Sequence, residues 1–594
     1  MEKIESSISK NPKMFWSYVK SKKNAGAFPN VMTYNNTSAC TGQDISNLFA
    51  SYFNTTFQQP ESNDYNTDTS SGTCFSNYTT SISSVEINPT RVLKLLKSLD
   101  LSKSGGPDQI PPIFIVNCAT SLAEPVTILF RRSLSEGIVP KIWKSAYVTP
   151  IFKKGNKSEI ENYRPISKIC LFSKVLERIV YTDLYEAVKC NLGDEQHGFL
   201  RKRSTTSNLI LSHEFISEGM EQHAQVDIIY TDYSKCFDRI DHRVLLQKLL
   251  SAGIHGDLYR WFCSYVDNRT QAVVLQGYTS DWASVPSGVP QGSILGPLLF
   301  ILFISDIKSC FKHSHILLYA DDMKILKKVH NNLDTHLLQE DLNRFESYCS
   351  LNKLQLNVSK CYHVTYTRKK TLIGTGYSLY GQTINKVNTI RDLGVIFDSK
   401  LLFDQHIESI VKKAAKALGF ITRMSACFRS IKTIKILYCS FVRSHLEYAS
   451  QVWNPQYEIY KSRIEAIQKK FLKYLDFKAR QYSTDYNHRC HRYHFLPLEY
   501  RRFTNDVCFL MNIANGTIDC ADLVAKLELR TNQLSLRQRP LLSVPFSSTN
   551  YRRNAFFARS TSSFNKLPLE LNIDLFCTSA RTTRQTLAKQ FFQQ

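Results

Sequence analysis

Acidic side chains at the ends of apolar runs are the first feature of this sequence with chemical content. Val226-Asp227-Ile228-Ile229-Tyr230-Thr231-Asp232 reads as a buried strand closing on a carboxylate, and Phe237-Asp238 follows five positions later. Further along, Ile316-Leu317-Leu318-Tyr319 and Met323-Lys324-Ile325-Leu326 flank Ala320-Asp321-Asp322, the pattern of a hairpin with acids at its tip. Carboxylates suit Mg2+, a hard cation that prefers oxygen donors. Two metal ions about 3.5 to 4 Å apart need acids converging from separate segments, which Asp232, Asp321 and Asp322 could supply. Alone, an Asp-Asp turn is more often an ordinary solvated loop; the second acidic strand end gives it weight.

Between these segments lies Pro286-Ser287-Gly288-Val289-Pro290-Gln291-Gly292-Ser293-Ile294-Leu295-Gly296-Pro297, leading into an apolar run that reaches Ile307. Glycines around a proline and a glutamine let backbone approach a planar ligand while an amide side chain is held beneath it. A turn capping a buried helix is the plainer reading of the same residues. Upstream, Lys153-Lys154-Gly155 follows Val148-Thr149-Pro150-Ile151-Phe152 and precedes Glu161-Asn162-Tyr163-Arg164-Pro165. On a hairpin, these lysines and Arg164 would offer point charges and a guanidinium fork to a triphosphate. A Lys-Lys pair by itself is more often solvated surface.

An α+β body is needed to gather these groups. From Val85 to about Phe397, helix-like periodicity (Val92 to Leu99, Pro125 to Ser135, Val244 to Leu250, Leu337 to Leu351) alternates with short β-rich runs such as Gln271 to Leu275. Leu401 to Leu475 is helical and basic, and from Phe477 onward 17 Lys/Arg face 8 Asp/Glu in a weaker pattern. Ahead of the body, a helical start around Met14 to Val19 leads into a Ser/Thr/Asn-rich stretch from Asn54 to Ser84 that reads as a linker.

Taken in order, these segments resemble the reverse transcriptases of non-LTR retrotransposons of the jockey-like, LINE type. Asp232 with Phe237-Asp238 matches the first palm motif, Gly288 to Pro297 the Gly-Val-Pro-Gln-Gly loop, and Tyr319 to Asp322 the Tyr-x-Asp-Asp hairpin. Lys153, Lys154 and Asn162 to Pro165 resemble the fingers motifs. Asn357 to Cys361 and Leu393 to Val395 resemble later palm and primer-grip motifs, and Ser444 to Trp453 the thumb. The resemblance implies an α+β right-hand polymerase: an N-terminal helix and linker (1–85), fingers and palm (86–397), a helical thumb (398–476) and a mostly helical basic C-terminal region (477–594).

It further implies an RNA-directed DNA polymerase that copies retrotransposon RNA, with target-primed synthesis as the setting. Asp232, Asp321 and Asp322 would hold Mg2+, with Mn2+ as a substitute, while Lys153 or Lys154 and Arg164 would neutralise the triphosphate. Gln291 and Gly292 would pack against template base and nucleotide. Lys360 would be a general acid toward pyrophosphate, an ordinary solvated lysine being an equal reading. Phe237 stands where the family places a ring against the sugar C2′, so the implied substrates are dNTPs, the implied partners an RNA template and a DNA primer or target. A group II intron-type enzyme shares the hairpin but normally carries a nuclease after the thumb. A catalytically inactive RNA-binding relic would tend to lose the metal acids, and all three remain.

Composition agrees with that direction. The 594 residues carry 75 Lys+Arg against 51 Asp+Glu, a net charge of +24, the footprint of a polyanion binder, and 43% hydrophobic residues exclude a wholly disordered chain. The thumb-like segment and the basic tail are the expected phosphate-facing surfaces. The sixteen cysteines contain no C-x-x-C pair and read as reduced thiols without a zinc knuckle. The charged start lacks a signal-peptide core, and the longest apolar stretch, Leu298 to Ile304, is too short to span a membrane. The expectation is an intracellular protein, in nucleus or cytoplasm, with no membrane partner. About 85 residues precede the fingers, too few for the endonuclease that complete elements of this type carry, so that domain is expected to be absent from this chain.

Overall fold

The computed structural model describes residues 2–22, 28–58, 81–374, 376–483, 485–530 and 541–593; most of the linker-like stretch lies outside the described residues. The central element is a five-stranded sheet ordered Asn385–Lys386, Tyr362–Tyr366, Gln225–Thr231, Asp322–Val329, His315–Tyr319. Gln225–Thr231 is buried along its whole length because strands flank both its edges and helices cover both its faces. Alternation sorts its side chains: Val226, Ile228 and Tyr230 enter one core, Ile229 the other. The first core contains the helix Thr205–Glu221 and the thumb-like segment, and the second contains the helices Leu171–Val188, Gly296–Phe303 and Asn332–Leu351.

A second sheet stands beside it, ordered Tyr163–Lys168, Ser145–Phe152, Arg269–Leu275, Tyr278–Thr279. Ser145–Phe152 and Tyr163–Lys168 form the antiparallel hairpin expected around Lys153 and Lys154, with Ile151 opposite Arg164. The helix Gly42–Asn54 seals this sheet through Phe49 and Phe53, which pack on Val148, Val273 and Leu275. Its N-cap, Thr41, accepts from the Asp44 amide.

In the span where a thumb is expected (398–476), helices Asp404–Met424, Ile431–Tyr438 and Glu458–Ala479 pack together, the last running three residues past it. The N-terminal helices Glu2–Lys10 and Met14–Lys22 dock on these helices, with Trp16 stacked on Phe420 at 5.7 Å. The buried Glu5 carboxylate accepts from the Arg429 and Ser430 amides at 3.1 and 2.7 Å. That carboxylate serves the otherwise unpaired N–H groups at the start of Ile431–Tyr438.

Four arginines of the basic C-terminal region point inward rather than toward solvent. Arg489 pairs with Asp476 at 2.6 Å, Arg559 with Asp506 at 2.8 Å, Arg501 with Glu447 and Arg552 with the fully buried Glu214. These guanidinium groups are spent inside the protein, because burying a carboxylate requires a paired and hydrogen-bonded cation. The Glu214–Arg552 pair also ties the tail to the helix behind the central sheet, since Glu214 accepts from the Phe557 amide at 3.0 Å. Among the described residues no helix is long and apolar enough to cross a membrane.

Candidate active site

Register decides where the acids fall. Met323 pairs with Thr231, so Asp232, one residue past the central strand, lies beside Asp322, the first residue of the antiparallel neighbour. Tyr319 pairs with Asp322, which leaves Ala320-Asp321 as a two-residue turn at the same sheet end. Ala320 takes φ 57°, the left-handed region that two-residue hairpin turns demand and that glycine usually fills. Without a glycine, the turn has to be held from outside. The buried Gln196 does so: its Oε1 accepts from the Ala320 and Gly198 amides at 2.9 and 2.8 Å. Gly198 packs so closely that a Cβ there would overlap the Ala320 amide. His197 extends this support by donating its amide to the Leu318 carbonyl at 2.9 Å.

At the sheet end the acids repel one another, and nearby lysines offset part of that repulsion. Burial raises the Asp232 carboxyl above its ordinary value; Lys360, 3.8 Å away, pulls it down, and Asp321 pushes it up. Partial desolvation, then Asp321, Asp392 and Asp232, push Asp322 up to about 6, although one side of the residue is open to solvent. Cys236 donates its thiol to Asp321 at 3.6 Å. No group of three or more acids, histidines or cysteines among the described residues forms a finished metal cage. The three acids nonetheless fit a divalent cation, because their mutual repulsion is what such an ion would relieve.

The basic groups expected at the triphosphate do approach. Lys153 and Lys154 are exposed just beyond Ser145–Phe152, and the Lys153 amide donates to the Asn162 carbonyl at 2.8 Å. Lys153 is lowered by desolvation, then by Arg164, Lys360 and Lys154, with Asp232 pulling the other way. These cations share one neighbourhood with the first acid.

The glycine-rich loop closes against the Phe237 segment. Gly288, at φ 81°, donates its amide to the Ile240 carbonyl, and Val289 donates to the Phe237 carbonyl, both at 2.8 Å. Gly292, at φ 136°, abuts the Ser167 carbonyl, where any Cβ would collide. Gln291 joins three elements: its carbonyl accepts from the Ser167 amide at 2.8 Å, and its side chain donates to Asp238 at 2.8 Å. Burial pushes the Asp238 carboxyl up to about 6, the Gln291 bond opposing it. Phe237 stacks on Phe300 at 4.6 Å and meets Phe199 edge-on at 6.2 Å, which fixes its ring against the core.

Gln196 and Gly198 were not singled out from the sequence, where Gln196-His197-Gly198-Phe199 looks like a loop. Lys324 stands inside an apolar strand, with no local signal to mark it. Buried, it pairs with Asp392 at 2.7 Å and fastens the hairpin Thr389–Asp392/Val395–Asp398 to the acidic one.

The family model for reverse transcriptase (RNA-dependent DNA polymerase) matches residues 151–421, the span that holds this arrangement. That match covers a little under half of the chain. The matched span and its flanks are 29% identical over 397 residues to the RNA-directed DNA polymerase from mobile element jockey of Drosophila melanogaster, covering 64% of this chain and 43% of that protein. The probable RNA-directed DNA polymerases from transposon BS and transposon X-element of the same organism are each 26% identical, covering 66% and 58% of this chain and 45% and 39% of their own lengths. These relatives are RNA-directed DNA polymerases of mobile elements and transposons, the kind that the motifs of this chain resemble. The chain spans less than half the length of these curated relatives. A solved structure of apo telomerase from Candida Tropicalis, truncated from its C-terminal domain, aligns with a TM-score of 0.31 at 12% identity, covering 47% of this chain and 59% of that one.

Proposed function

We propose that this chain is an RNA-directed DNA polymerase that extends a DNA primer with dNTPs on a retrotransposon RNA template, in target-primed synthesis. The observation that carries the reading is the register that sets Asp232 beside the Asp321-Asp322 hairpin within the span that the reverse transcriptase family model matches. Asp232, Asp321 and Asp322 would hold Mg2+ or Mn2+. When bound, such ions make the primer 3′-hydroxyl a better nucleophile and stabilise charge on the phosphoryl group.

The chain's own groups do the rest. Gln196 keeps the Ala320-Asp321 turn in the one conformation that presents both hairpin acids. Lys153, Lys154 and Arg164 neutralise the incoming triphosphate, and Lys360, beside Asp232, is placed to give a proton to departing pyrophosphate. Phe237, locked by Phe300, excludes a 2′-hydroxyl and so selects dNTPs. Gln291 and Gly292 brace the nucleotide pocket between Asp238 and Ser167.

Purified chain with Mg2+, an RNA template and an annealed DNA primer is expected to add dNTPs and to reject NTPs. Tight binding of the hybrid without any extension would replace this reading with that of an inactive RNA-binding relic.

A further inference from the structure

Away from the acids, a shallow, open surface depression lies where the segments Leu401–Phe403 and Val452–Tyr460, the C-terminal region and the helix Thr205–Glu221 meet. Its lining has the chemistry of base recognition. Tyr457 and Tyr460 supply accessible aromatic surface over the buried Trp453 and Tyr551, and Gln456 and Asn554 supply amides. Tyr457 is 49% exposed, so its ring is available from solvent. The Asn554 amide nitrogen donates to the Gln456 oxygen at 2.9 Å and to the Asn550 carbonyl. That bond leaves the Gln456 nitrogen as a donor and the Asn554 oxygen as an acceptor, neither taken by another described residue. A paired donor and acceptor is the complement of a nucleobase edge.

The rim is cationic. Arg368 lies over the Tyr551 ring at 4.7 Å and donates to the Lys400 carbonyl, Arg463 lies 5.9 Å over Tyr460, and Arg553 precedes Asn554. Arg368, Arg463 and Arg553 are exposed, unlike the inward-facing arginines of the tail. Aromatic faces for stacking, an amide edge for pairing and cations for the backbone are together what proteins use to hold a splayed base of a single strand.

We propose that this hollow is a second nucleic-acid site, which captures one unpaired base of a bound strand outside the polymerase cleft. It rests on the reading of the chain as a nucleic-acid enzyme, but not on catalysis. The base stacks against Tyr457, its edge meets Gln456 and Asn554, and the adjoining phosphates lie along Arg368, Arg463 and Arg553. Duplex nucleic acid, whose bases are stacked internally, is excluded.

The test uses the full chain and a single-stranded oligonucleotide of about twelve residues carrying a photo-crosslinkable base, as RNA and as DNA of equal sequence. Crosslinks mapped by mass spectrometry are expected at Tyr457. Tyr457→Ala and Gln456→Ala should weaken single-strand binding roughly tenfold or more while Tyr457→Phe, which keeps the ring, binds as wild type. Dependence on RNA alone identifies the strand as template, and equal behaviour of DNA identifies shared base chemistry. Extension of a fully annealed primer-template should be unchanged in all three variants. Failure of extension in the wild-type chain would count against the polymerase reading alone. Crosslinks confined to the cleft, or equal losses for single strand and duplex, would overturn the second site.

Discussion

Asp238 is the residue whose environment gives a number that can be measured. Its carboxyl is 8% exposed, accepts from Gln291, and is pushed from 3.8 up to about 6, chiefly by burial. At about 1.4 kcal/mol per pH unit, that difference corresponds to at most about 3 kcal/mol held against folding near neutral pH. The native state keeps its proton up to about pH 6, whereas the unfolded chain releases it near 3.8. Native protein therefore binds more protons in that window, and its stability falls as pH rises through it. Asp238→Asn keeps the oxygen that accepts from Gln291 and removes the titration. Urea midpoints of both chains, followed by tryptophan fluorescence from about pH 4 to pH 7, isolate the effect because all other groups titrate alike. The variant's advantage should be near zero at the acid end, grow toward pH 6 and then level off below about 3 kcal/mol. An advantage that does not change with pH, or a variant less stable at every pH, would refute the burial argument.

Phe237→Val should admit ribonucleotides and lower the dNTP over NTP preference in kcat/KM at least about tenfold; unchanged sugar selectivity removes the ring as the gate. Gln196→Ala strips the acceptor from two buried amides, at about 1–3 kcal/mol each, and should depress kcat through a misplaced turn, whereas full activity with normal stability would show that the turn holds itself. Gly292→Ala drives a methyl group into the Ser167 carbonyl from a left-handed backbone position, so nucleotide KM should rise; wild-type KM would contradict the close approach. Because Asp322 sits near 6, protons should compete with metal below that pH, and the Mg2+ needed for half-maximal extension should rise by up to about tenfold per pH unit between about pH 5 and pH 6. A flat requirement would remove Asp322 from the metal site.

What could be read from the sequence was whatever announces itself locally. An acid after an unbroken apolar run marks the end of a buried strand, and two apolar arms around Ala320-Asp321-Asp322 mark a hairpin, so both halves of the acidic centre were visible before their pairing was known. The glycines at 288 and 292 were legible for the same reason, since close backbone approach has a residue type of its own. Gln196 was not legible, because a glutamine in a loop carries no periodicity and its partner amides lie far off in sequence. Lys324 was hidden by its apolar neighbours, and only Asp392 explains a lysine at 4% side-chain exposure. The inward arginines of the tail were not legible either: composition counts arginines but does not say which face inward, and Glu214, Glu447, Asp476 and Asp506 turn four of them away from solvent.

The most direct measurement is single-turnover addition of one dNTP to a DNA primer on an RNA template, comparing wild type with Asp321→Asn under saturating Mg2+. That substitution keeps the size and most hydrogen bonds of the turn residue while removing a metal-binding charge. Wild type should extend the primer, and the variant should bind the hybrid equally tightly yet add nucleotide at least about a thousandfold more slowly. Equal rates for the two proteins would contradict the assignment of the acidic hairpin as the centre of catalysis.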